Sequence, residues 1–259
     1  MAAPDIVIRA HEAALQRWND PFPGFASGHD RRTSDAALLG QFYGGLEYAA
    51  AHDWLNAGRR LIDKTYVDML WHVQELTRMR ARQPEQIAAA LDDFIRDLVA
   101  PRWPTLWSLP EIEKQALAVD WVEYLAGHGF GSLHSEAAAS RLLFYLCPML
   151  PVFNLSTGHQ LGLLAMNGTA ESDSYRDFSA HAQLAYGRIA PSLSTVTRPT
   201  AMIGDRAQAT VVDRVLDDSD WWERRVFDQL LRDHAPVGAT PMFGCDDAGQ
   251  LVHNPSLET

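Results

Sequence analysis

The segment Ser135 to Cys147, SEAAASRLLFYLC, reads as a helix with hardly any polar face. A helix that is apolar around most of its circumference holds in water only when other elements surround it. It ends where Pro148 and Pro151 force extended backbone around Met149 and Leu150. On its N-terminal side Gly127, Gly129 and Gly131 read as a tight chain reversal, a glycine-rich hairpin. On its C-terminal side Asn154, Ser156 and Thr157 are caps for a further helix through His159 and Leu163. The stretch Gly127 to Leu161 is thus expected at the buried centre of a helical protein, with or without chemistry of its own.

The flanking chain supplies the surrounding helices. Ser34 or Asp35 caps a helix through Leu38, Phe42 and Leu46 to about Trp54. A second is expected from about Arg59 to Arg82, on the spacing of Leu61, Ile62, Tyr66, Met69, Leu70, Val73 and Leu76. A third runs from Pro84 to Val99 with Ile87, Leu91, Phe94, Ile95 and Leu98 on one face. Pro101 to Pro110 is a stiff connector whose Trp103 and Trp107 predict a strap over the core. A helix opening near Pro110 leads into the glycines. Tyr175 to Ile189, Val211 to Leu216 and Asp220 to Leu231 close the set. Strand alternation and solenoid repeats are absent from the sequence. The expected fold is all-α, one helical domain over residues 34–233, with a division into two lobes near residues 101–131 left open. Residues 1–33 are expected as an irregular arm and 234–259 as an extended tail.

Composition narrows the function classes. The formal net charge is -11, so nucleic-acid binding would have to rest on a local Arg cluster rather than on a basic face. The Arg groups Arg31-Arg32, Arg59-Arg60, Arg78/Arg80/Arg82 and Arg224-Arg225 are expected as surface ion-pair partners of the many acids, with phosphate contact as the alternative. No apolar run reaches the roughly 18 residues of a membrane span, and residues 1–18 carry no signal-peptide pattern. With Cys147 and Cys245 as the only cysteines, the expectation is a cytoplasmic protein with no disulfide framework and no membrane partner.

Motifs for common chemistries are missing. His128, His134 and His159 gather around the glycines, but the sequence lacks the compact fourth ligand that zinc requires, so no metal is expected. Asp63, Asp68, Asp92, Asp93 and Asp97 read as a solvated helix face, since the Glu-x-x-His pairs of a di-iron bundle are absent. HExxH, P-loop and GxSxG patterns are absent, and the Gly127–Gly131 loop follows a helix rather than a strand, which excludes a dinucleotide site. No cofactor is expected, and the sequence names no small-molecule ligand.

Gly129-Phe130-Gly131, the small residues Ala138 to Ser140, and the turn Leu150-Pro151-Val152 resemble the central signature of helix-hairpin-helix DNA glycosylases. The resemblance implies an all-α fold with hairpin amides turned to a DNA phosphate, a contact that needs no net positive charge. It assigns DNA contacts to Gly129, Gly131, Ser132, Ser135 and Arg141, and the pocket aspartate of that family falls on Asn154. Asn154 has no charge with which to stabilise a sugar cation. No Lys lies in this region for a Schiff base, and no four-cysteine cluster follows. The expectation is a DNA-binding protein with a glycosylase-like core that lacks standard base excision. The alternative is a non-catalytic helical interaction or scaffold protein that holds a protein partner by exposed aromatics such as Trp221 and Trp222, or by its acidic surface.

Overall fold

The computed structural model describes residues 5–19, 34–54, 57–62, 67, 83–130, 135–167, 174–201, 206–234, 243–245 and 251–253. Their architecture is all-α. The helices are α1 (Asp5–Asn19), α2 (Asp35–Ala51), α3 (Pro84–Phe94), α4 (Glu111–Leu125), α5 (Ser135–Leu146), α6 (Thr157–Asn167), α7 (Tyr175–Leu193), α8 (Arg206–Asp218) and α9 (Trp221–His234). Six residues of the C-terminal tail form a short antiparallel ladder, Phe243–Cys245 against Leu251–His253. Among the described residues no helix is long and apolar enough to cross a membrane.

Helix α9 organises the bundle. It packs against α1, α6, α7 and α8, while α5 packs against α2 and α4. From Trp221 to Leu231 every residue of α9 is buried, charged side chains included. Helix α5 is likewise buried at every residue from Ala138 to Leu146, as its apolar composition demands. Leu143→Ala or Phe144→Ala in α5 should therefore each cost about 2–5 kcal/mol through the cavity left behind. Urea unfolding of the two variants measures this, and near-neutral values at both sites would contradict a buried α5.

Several sequence expectations are corrected. The N-terminal segment is not an irregular arm over its described part. Val7, Ala10, Ala14 and Trp18 recur along one face of α1 and are buried. Trp18 meets Trp221 tilted at 5.9 Å and Trp222 edge-on at 5.6 Å, and its indole N–H donates to the Thr200 carbonyl at 2.9 Å. Two of the four face positions are Ala, which is why the apolar pattern is faint. The expected helix does not begin at Arg59: residues 59–62 are non-helical, and the Leu61 and Ile62 amides donate to Asp92 Oδ1 at 2.6 and 3.1 Å. Most of the remainder of that expected helix lies outside the described residues.

Elsewhere the local signals hold. Ser34 caps α2, its Oγ accepting from the Ala37 amide at 3.2 Å. Helix α3 runs on through a π turn, Ile95–Val99, into a 3-10 stretch, Ala100–Ser108. Trp103 and Trp107 of that stretch lie half-buried against Tyr43, whose hydroxyl accepts from the Trp107 indole at 3.1 Å.

Candidate functional site

The Pro-bounded turn between α5 and α6 satisfies part of its backbone itself, the Leu150 amide donating to the Cys147 carbonyl and the Val152 amide to the Leu150 carbonyl, and side chains complete the set. The buried Arg224 guanidinium of α9 donates to the carbonyls of Pro148 at 2.5 Å, Leu150 at 2.7 Å and Val152 at 3.3 Å. Its Nε donates to Asp220 at 2.8 Å. The Tyr175 hydroxyl accepts from the Phe153 amide at 3.1 Å and donates to the Phe153 carbonyl at 3.0 Å. Ser140 Oγ accepts from the Leu155 amide at 3.0 Å. Ser156 Oγ accepts from the His159 amide at 3.3 Å and so caps α6. The backbone on both sides of Asn154 is thereby held in place.

Asn154 itself is different. It is 3 % exposed, and neither its carbonyl oxygen nor its amide nitrogen has a hydrogen-bond partner. A buried polar group left unpaired costs about 1–3 kcal/mol, and an Asn side chain carries both a donor and an acceptor group.

The other residues assigned to DNA contact sit differently from expectation. Gly127 to Phe130 do not open a hairpin: residues Ala126–Phe130 continue α4 as a π turn. Neither Gly127 nor Gly129 has positive φ, and Gly129 is buried near Leu125 and Leu91. Its amide is therefore not part of an outward-facing hairpin in this stretch. Gly131 and Ser132 lie outside the described residues. Ser135 opens α5 and is buried.

Arg141 is no surface cation. It is 4 % exposed and pairs with Asp228 at 3.5 Å, because a buried guanidinium persists only beside a carboxylate. Arg224 and Arg225, expected at the surface, are buried too. Trp221 and Trp222 are both fully buried, which removes them as partner-binding aromatics.

Arg141 belongs to an ionic cluster joining α2, α5, α6 and α9. Arg225 Nε donates to Asp35 Oδ2 at 2.6 Å and its Nη1 to Asp228 Oδ2 at 3.0 Å. The Tyr145 hydroxyl donates to Asp35 Oδ1 at 2.8 Å. His159 Nε2 stands 2.6 Å from Asp228 Oδ1, in ion-pair range but not aligned as a hydrogen bond. Burial pushes the His159 imidazole down to about 4 against the pull of Asp228, and Arg141 and Arg232 press it further the same way. Burial works to raise Asp228, but His159, Arg141 and Arg232 outweigh it and hold the carboxyl well below its ordinary range. Burial lowers Arg141 to about 10, so it stays charged at neutral pH.

Ser156, His159 and Asp228 stand in contact in that order, with Ser156 Oγ 2.5 Å from His159 Nδ1. Nucleophilic catalysis is a poor fit. A base near 4 is far from the neutral range that general-base work favours, and the ring is fully closed from solvent. The cluster reads as a structural tie between helices.

Among the described residues no group of three or more His, Cys, Asp or Glu is gathered as a metal-binding set. His128 contacts the Tyr124 carbonyl through Nδ1 at 2.9 Å, and His134 lies outside the described residues. Asp93 and Asp97 are exposed and pair with Arg96, a solvated helix face. The sequence reading missed Asp35, Arg225, Asp228 and His159 as a unit. The available signal was charge inside the apolar pattern of α9, where WWERRVFDQLL leaves no face for water. Neither a protein-family model, nor a curated protein, nor a solved structure matches this chain.

Proposed function

We propose that this chain is a DNA-binding protein with a glycosylase-like helical core, in which Asn154 stands where a base-excising enzyme carries its carboxylate. The single observation behind the reading is the Asn154 side chain, buried and unbonded beside a turn held by Arg224, Tyr175 and Ser140. An Asn amide presents a donor and an acceptor side by side, the complement of a nucleobase edge. A base turned out of its stack presents such an edge, and it meets Asn154 once the turn opens, since both amide atoms are closed from solvent here. The same amide has no charge for a developing sugar cation, so the chemistry stops at recognition. The succession of α5, Pro-bounded turn, Asn154 and α6 supports the resemblance. With Arg141 committed to Asp228, phosphate contacts must come from exposed side chains.

The test sets stability against binding. Asn154→Leu removes the unpaired amide at similar volume, so urea unfolding should show a gain of about 1 kcal/mol. The same variant should lose about tenfold in affinity for duplexes carrying a modified or mispaired base. Wild-type binding should weaken only modestly with salt, since an acidic protein neutralises few phosphates. Asn154→Asp should recover some excision if the pocket accepts a carboxylate. A destabilised Asn154→Leu would mean that the amide has a partner. Absence of DNA affinity at low salt would remove this reading in favour of a helical interaction protein.

A further inference from the structure

At the C-terminal end of α2 two exposed rings, Tyr48 and His52, stand beside Trp54, which is half-buried against the core. Tyr48 is 51 % exposed and stacks on the exposed His52, with ring centroids 4.0 Å apart and 27° between planes. His52 Nδ1 lies 2.8 Å from the Tyr48 carbonyl, which fixes the imidazole in that stack. Trp54 stands edge-on to Tyr48 at 5.3 Å, and the Arg59 guanidinium lies 5.1 Å from the Trp54 ring centroid. Asp53 and Gly58, both in the left-handed region at φ 55° and 70°, turn the chain so that Arg59 returns to Trp54. Asp92 of α3 accepts from the Leu61 and Ile62 amides, so the reversal is anchored where it rejoins the core.

The same device recurs at the end of α4. Tyr124 is 41 % exposed and stacks on the exposed His128 at 4.1 Å and 13°. It stacks on its own account against Phe94 of α3 at 6.0 Å. A Tyr–His pair four residues apart explains a helix end. It does not explain why flat apolar rings are left in water twice, once beside two exposed arginines.

We propose that Tyr48, His52 and Trp54, with Arg59 and Arg60, form a stacking platform for a single strand of nucleic acid. This rests on the reading of the chain as a DNA-binding protein and adds to it a separate contact for an unpaired strand. Every base has a π face to lay on such rings, and stacking is largely indifferent to sequence. Arg59 and Arg60 are exposed and supply cations for the phosphates, and of the acids near them in the chain Glu47 is paired with Arg214.

Fluorescence anisotropy of the full chain at low salt tests the proposal with three labelled probes of about twenty nucleotides: an oligodeoxyadenylate, a strand of tetrahydrofuran abasic sites with the same phosphates, and a hairpin duplex. Wild type should bind the base-bearing strand about tenfold more tightly than the base-free one. Tyr48→Ala and His52→Ala should each shrink that ratio toward one while melting temperature holds, because both side chains are exposed. Quenching of tryptophan fluorescence by the oligodeoxyadenylate provides a readout that needs no variant. Replacing Arg59 and Arg60 by Ser should lower the salt slope by about two and leave the ratio intact. An equal ratio in wild type and both ring variants overturns the platform, and retained duplex binding then leaves the DNA-binding reading standing. No binding to any of the three probes overturns both.

Discussion

A single methyl group added at Gly162 should destabilise the protein by about 3 kcal/mol or more. A β-carbon there would overlap the Leu231 carbonyl oxygen and stand 2.6 Å from its carbon. Gly162 lies in α6 and the atoms it would meet are α9 backbone, so no flexible side chain can yield. Relief requires the two helices to part, and α9 is the element on which α1, α6, α7 and α8 all pack. Gly187→Ala in α7 is the matched control. Its β-carbon would meet nothing within 4 Å, and it should raise stability by about 0.5–1 kcal/mol through helix propensity. Urea unfolding of the pair measures both. Equal tolerance of the two substitutions would mean that α6 and α9 do not approach this closely.

Asp228→Asn should cost about 3–5 kcal/mol, because it leaves the buried Arg141 and Arg225 with Asp35 as the one carboxylate of the cluster. The cluster also sets an acid limb. His159 falls from 6.5 unfolded to about 4 folded, so the unfolded chain takes up its proton first and stability drops as pH falls from 6.5 toward 4. That shift corresponds to about 3 kcal/mol. Asp228, held below its ordinary 3.8, contributes stability that is present above that pH and is lost as pH falls through its folded value. Thermal melting of wild type should thus decline continuously from pH 7 downward. In Asp228→Asn the part of the decline below pH 4 should flatten. A wild-type melting temperature unchanged between pH 7 and pH 4 would contradict a buried neutral His159.

The helices were legible because helix signals are local. Ser34 and Ser156 act on amides three residues ahead, and the apolar spacing of α3 and α5 repeats within a turn or two. Faint patterns failed where the buried face was built from small residues, as with Ala10 and Ala14 in α1. The Pro-bounded turn before Asn154 was legible, since Pro imposes its geometry on its neighbours wherever it stands.

What surrounds that position was not legible. Arg225 reaches Asp35 across 190 positions, and no spacing rule connects residues so far apart. Arg224 and Arg225 read as surface charge until α9 is seen enclosed on all sides, where the same charges must be paired or cost several kcal/mol each. The glycines after α4 permit a reversal or a helical turn alike. Packing of Gly129 near Leu91 and Leu125 accompanies the π turn. By itself, then, the sequence determined an all-α chain, the caps at Ser34 and Ser156 and the Pro-bounded turn before Asn154, all of which depend on forces acting within a few residues. Only the tertiary structure decided which charges are buried, which rings face water and that the Asn154 amide is left unpaired, because burial is a property of neighbours brought together from distant parts of the chain.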